Sequence, residues 1–340
     1  MRIHASDAPL PLPRPLVVGV LLALAIAPAG MAHAGNLDNQ TAEVVAGDPV
    51  EAWLLINGSK LTVTGAQSNQ IIASDSSTIV LDGARVTRVG RTNQSSIDLY
   101  GNASLEATNS QFAGGGITLN GEGASAHLVG STIIVHTADM RPNEIRTIGV
   151  DLINGGSATG ATRYARIDGT RIDVQTVRDV PWSHGSGLGV RLQSGTVDIV
   201  NGSSVTGANV GALLWGVDSS TGVIRLNIDD SILQSGRGAA IQVSSLLDNT
   251  YDITVANGAQ LLGGDGNLLL VDSIAPNDER TDVDFTVDNA RLRGNVTFDP
   301  TLATNGTLDV ILRNKAQIDG RFINVTSASI DGDSTWLLTG

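Results

Sequence analysis

A short unit recurs along this chain, and its recurrence restricts the fold more than any other property. The string Ile253-Thr254-Val255-Ala256-Asn257-Gly258-Ala259-Gln260-Leu261-Leu262-Gly263 reads as strand, corner, strand and glycine. It returns in close copy at Val310-Ile311-Leu312-Arg313-Asn314-Lys315-Ala316-Gln317-Ile318-Asp319-Gly320. Looser copies run through the chain, and a repeated unit of this length is the mark of a solenoid. Aligned on the small corner residue, the copies fall at Ser59, Ala84, Ser110, Ser131, Thr170, Ser203, Ser231, Ala259, Ala290 and Ala316. Subtracting neighbours gives intervals of 25, 26, 21, 39, 33, 28, 28, 31 and 26 residues. Two places after each corner stands an apolar residue, from Leu61, Val86 and Phe112 to Leu261, Leu292 and Ile318. Just before it comes Gly, Asn or Asp, except at Lys315; these types accept a left-handed backbone at little cost. One further back Asn or Asp dominates, and its side chain can bond the backbone beyond it to hold the corner.

Each period also supplies two more strand-like pieces. One is glycine-flanked, as in Gly116-Ile117-Thr118-Leu119 or Asn267-Leu268-Leu269-Leu270; the other leads into the next corner, as in Thr196-Val197-Asp198-Ile199-Val200. No sustained 3.6-residue apolar period follows residue 34, so no long helix is expected. Three short strands and three corners per repeat predict an all-β fold: a right-handed parallel β-helix of about ten coils, on the order of 50 Å long at the ~4.8 Å strand spacing. The competing fold is an antiparallel sandwich, because Asn-Gly is also a hairpin signal. Sandwich turns would come every ~8–12 residues without a longer register, which disfavours it.

Composition agrees with a narrow interior and many corners: 40 glycines and only 3% aromatics. The net charge is −13, lysine occurs only at Lys60 and Lys315, and no basic patch is visible along the sequence. That balance speaks against nucleic acid and anionic membranes as partners, since both would be repelled. The absence of cysteine excludes disulfides and thiolate metal sites.

Residues 1–34 read as a signal peptide. Arg2 and Arg14 precede an apolar run from Leu16 to Ala27, and Ala32-His33-Ala34 gives a small-x-small site with cleavage expected after Ala34. The mature protein is then 35–340. Irregular intervals mark surface loops at Met140-Arg141-Pro142-Asn143-Glu144, Gly155 to Gly160, Arg178 to Gly185, and Ala275 to Arg280. The ending has no polar cap of the kind a solenoid needs, so further chain is expected beyond Gly340.

A signal peptide, no cysteine, Asn-Gly-Ala corners and a closing Ile330-Asp331-Gly332-Asp333-Ser334-Thr335-Trp336 together resemble the passenger domain of a pertactin-like autotransporter of Gram-negative bacteria. The resemblance implies a right-handed β-helix on the cell surface, serving in adhesion or other host contact. It also implies that residues 329–340 open the C-terminal folding segment that precedes an outer-membrane barrel. The chain departs from the family in lacking that barrel and most of that segment, and it has no Arg-Gly-Asp tripeptide.

Catalytic readings find little to hold. Glycoside hydrolysis needs paired carboxylates at a suitable separation. The candidates are Asp229-Asp230, Asp282 with Asp284, and Asp331 with Asp333, all in corners or strands. His184-Gly185 is similar to the His-Gly element of polygalacturonase-like enzymes, but the companion Asn-Thr-Asp and Arg-Ile-Lys elements are missing. His127, His136 and His184 have no zinc spacing, and Gly263-Gly264-Asp265-Gly266-Asn267 is a single, incomplete echo of a calcium-binding nonapeptide. No cofactor is expected. Trp182 and His184 are the candidate contact residues, while Trp53, Trp215 and Trp336 fall on strands.

The expectation is a non-enzymatic, exported interaction scaffold, adhesin-like, meeting a host receptor or glycan through its loops. It would stand at the cell surface or outside the cell, reach the outer membrane only through a barrel these residues lack, and stay periplasmic if the chain ends at Gly340. The alternatives are a secreted polysaccharide-active enzyme on the same fold, or a non-functional truncated passenger.

Overall fold

Strand, corner, strand: the alternation of buried and exposed residues in the computed structural model shows how the repeat closes on itself. The structure describes residues 34–88, 95–136, 147–153, 162–175, 186–217, 222–272, 277–299 and 303–339. The described residues form no helix, and every strand pairing among them is parallel.

The chain is a right-handed parallel β-helix with three strands per coil. The first sheet has twelve strands, running from Ala34–Asp38 to Phe322–Ile323. The second also has twelve, from Thr41–Val45 to Ser327–Ile330. The third face is made of two sheets, eight strands ending at Gln260–Leu262 and three beginning at Arg291–Arg293. Twelve strands on each of the first two faces, and eleven on the third, correct the expected ten coils. The sequence count missed a short early coil and the last one, whose corner at Ser334 continues the ladder through the Thr335 N–H bond to Ala316 O. Ser59 also belongs to a different corner from Ala84. It lies between first and second sheets, stacked with Ser77, whereas Ala66 is the true partner of Ala84. Both corners carry the same residue types, so a one-dimensional alignment exchanges them.

The core is one continuous aliphatic column. Residues two places past each corner are all buried, from Leu61 and Val86 to Leu292 and Ile318. Val205, Leu233 and Leu261 sit directly over one another in register. Where the second sheet narrows to Ala126 and Ala165, the third supplies two inward β-branched residues per strand, Ile133 with Val135 and Ile172 with Val174. The larger residues of the third face thus sit opposite the small alanines of the second, as close packing requires.

Corner backbones follow the expected pattern. Gly83, Asn109, Gly130, Gly202, Asp230, Gly258 and Asn289 all have positive φ, and so does Lys315 at +67°. The Asn and Asp one residue earlier act differently from expectation. Instead of bonding the backbone beyond, they pair between coils: Asn201 Nδ2 donates to Asp168 at 2.8 Å, Asn257 to Asp229 at 2.9 Å and Asn314 to Asp288 at 2.7 Å. A second ladder uses the corner hydroxyls. The N–H of Ser110, Ser131, Thr170 and Ser203 each donates to the hydroxyl of the next coil at 3.0–3.1 Å.

Candidate functional site

Two surfaces stand apart from the regular coil. The first is the outer face of the first sheet between Ile148–Leu152 and Asn267–Asp272. Several outward positions there, among them Asp151, Arg191, Leu213 and Gln242, are buried although they point away from the core, while Trp215 and Asp272 are half-buried. Asp151 and Arg191, stacked on consecutive coils, form a two-point ion pair at 2.9 Å for each bond. Both side chains are nearly inaccessible, at 2% and 7%. The Arg191 guanidinium lies 5.6 Å from the Trp215 ring centre, within cation–π range. Trp215 packs against a small apolar cluster of Ile148, Leu188, Val210 and Leu213, separate from the main core. Further along, Gln242 Nε2 donates to Asp272 at 2.7 Å. Burial, and then the neighbouring Asp299, push the Asp272 carboxyl up to about 6, opposed by Gln242 and weakly by Ser244. Another buried cation, Arg163 at 2% exposure, occupies the corner before the second sheet and gives one N–H to Ser194 at 2.7 Å.

The second surface is on the third face, where the ladder is interrupted. Gln260 N–H reaches back to Ser231 O and Gln317 N–H to Ala290 O. No backbone bond joins Gln260–Leu262 to Arg291–Arg293, so the two strands edge different sheets. A groove of about 510 Å³ lies there, lined by Gly258, Gln260, Leu262, Asn289, Arg291, Arg293 and Lys315 with Leu261 and Leu292 beneath. It also marks the point where corner hydroxyls give way to Ala259, Ala290 and Ala316. The sequence reading that no basic patch exists is corrected here. Arg291 and Arg293 alternate outward around buried Leu292, and Lys315 arrives from the next coil. Only stacking brings residues 291 and 315 together, which is why the linear chain hid them.

The remaining sequence candidates separate clearly. Trp182 and His184 lie outside the described residues, as do the signal segment up to residue 33 and the loops at 137–146, 154–161 and 176–185. Of the fourth expected loop, Asn277 to Arg280 instead opens a twelve-residue strand, Asn277–Asp288. Asp229 is held by Asn257, and Asp230 takes the left-handed corner position. Asp282 is paired with Arg280 and Thr307. Asp284 belongs to a carboxylate row on the second sheet, Asp252, Asp284 and Asp309 in register. Burial, then Asp309 and Asp252, raise its pKa. Asp265 closes its own corner by accepting from Asn267 N–H and Nδ2. No group of three metal-ligating side chains occurs among the described residues.

Fold and surfaces together define a parallel β-helix that carries its polar chemistry on the outside of a sealed aliphatic column. Compared with known proteins, the chain matches no family model, no curated protein and no solved structure.

Proposed function

We propose that this chain is the passenger region of a pertactin-like autotransporter and works as an adhesin-like interaction scaffold without catalytic activity. The observation that supports this reading is the end of the coil. Ser327–Ile330 and Thr335–Leu337 add one more rung to the second and third faces, so the Ile330 to Trp336 string is a strand pair. Trp336 stacks on Phe322 with ring centres 4.2 Å apart and planes 6° from parallel, and its Nε1 donates to Gly320 O at 3.0 Å. An aromatic pair stacked between consecutive coils suits a segment from which coil formation starts. A coil with one continuous aliphatic interior also suits a scaffold that presents lateral surfaces.

The test uses the gene in its own genomic setting. Intact cells are labelled with antibody to residues 35–339, with and without external protease. Surface label that protease removes is expected. Antigen found only in the periplasm or cytoplasm overturns the assignment.

A further inference from the structure

We infer that the groove across the interrupted third face binds an acidic oligosaccharide. This deepens the scaffold reading by naming a partner class, and it rests on that reading only for where the contact takes place. Four observations converge on the groove. First, Arg291, Arg293 and Lys315 line it, all exposed, and none makes an ion pair or side-chain hydrogen bond among the described residues. In a chain of net charge −13 with two lysines, three unpaired cations in one groove are a marked local reversal.

Second, Lys315 occupies a position that opposes it. Its φ of +67° is the left-handed region, and the equivalent corners at Asn201 and Asn257 are followed by Gly202 and Gly258. A lysine there carries strain that glycine would relieve. Strain of this kind persists where the side chain has a use. Third, Gln260–Leu262 and Arg291–Arg293 are end strands of different sheets, so the regular ladder of the third face is broken at the groove. Fourth, the neutral lining has the right character. The Gln260 and Asn289 amides offer donors and acceptors for hydroxyls, and Leu262, 47% exposed, offers an apolar patch for a sugar face.

Geometry selects among anions. Arg291 and Arg293 alternate along one strand and Lys315 stands at the corner of the next coil, ~4.8 Å along the axis, so the three charges are spread over a span comparable to neighbouring sugar rings. A cavity of about 510 Å³ admits a few sugar rings; a membrane plane or a nucleic-acid duplex cannot enter it. The carboxylate row Asp252, Asp284 and Asp309 on the adjoining face repels an anion that strays from the groove.

The experiment is titration calorimetry on the purified chain with four probes of similar length: a sulfated oligosaccharide, an oligogalacturonate, a neutral dextran and an oligoglutamate. Binding of the sulfated or the uronic probe is expected, and whichever is tighter identifies the source of the charge. Affinity should fall at least ~10-fold in Arg291→Ala with Arg293→Ala, and Arg-to-Lys replacements should retain part of it. Lys315→Gly should weaken binding several-fold while raising the melting temperature, a combination that damage to the fold would not give. The proposal is overturned if neutral dextran binds equally, if oligoglutamate binds more tightly than both acidic sugars, or if the variants bind as the parent does. Because the purified chain is used, these outcomes are independent of where the protein resides in the cell.

Discussion

Ser203 shows how much a single corner hydroxyl can do. It accepts from Thr170 N–H at 3.1 Å and lies within hydrogen-bonding distance of Ile167 O and Val200 O. Removing it leaves a buried amide without its acceptor, so Ser203→Ala should lower stability by about 1–3 kcal/mol in urea unfolding. Asp272 supplies the pH counterpart. Its carboxyl, pushed up to about 6, binds a proton more tightly in the folded chain than in the unfolded one. Stability therefore falls as pH rises from about 4 to 6 and the charge forms at a buried site. Asp272→Asn should leave stability near pH 4 almost unchanged and raise it by about 1–3 kcal/mol at pH 7.5, read as the difference between the two melting profiles. At this scale the sequence was partly legible. The left-handed corner residues were readable because few side chains tolerate that backbone. The partners of the Asn and Asp beside them were not, because those partners lie one coil away, 26 to 33 residues along.

Within one element, the strands Ile148–Leu152 and Leu188–Leu192 are buried on both faces. They carry a charge pair where an ordinary outer face would be solvated. Taking away one member strands the other, so Asp151→Ala should destabilise by about 3–5 kcal/mol. Replacing both, as Asp151→Leu with Arg191→Met, should recover most of that loss, and the double-mutant cycle gives the coupling directly. Strand existence and inward positions were legible from apolar alternation, as at Val197 and Ile199. The outward burial was not. Asp151 and Arg191 are 40 residues apart, and polar residues at outward positions read simply as surface. The interruption of the third face was equally hidden, since Leu261 and Leu292 keep the apolar signal continuous while the hydrogen bonds stop.

Across the whole molecule, contacts are made almost entirely between adjacent coils, so stability should vary along the axis instead of being shared evenly. Amide exchange should be slowest in the middle coils, where Val197, Leu226 and Ile253 are fully buried. It should be faster at Ser327–Ile330, whose residues are all exposed. Uniform protection throughout would show a single cooperative unit and contradict this view. The overall plan was readable because a repeat transmits one local rule many times. The coil number was not, because corner types of like composition are interchangeable until the ladder itself places Ser59 and Ala66.

The alternation of Asp168, Asn201, Asp229, Asn257, Asp288 and Asn314 restricts how such a rod can change length. Excising the single winding between Asp168 and Asp229 would set two carboxylates face to face, with no amide between them. Excising two windings would restore an amide opposite a carboxylate. Gain or loss by duplication in this stretch is thus favoured in even steps, a parity rule written in side-chain amides.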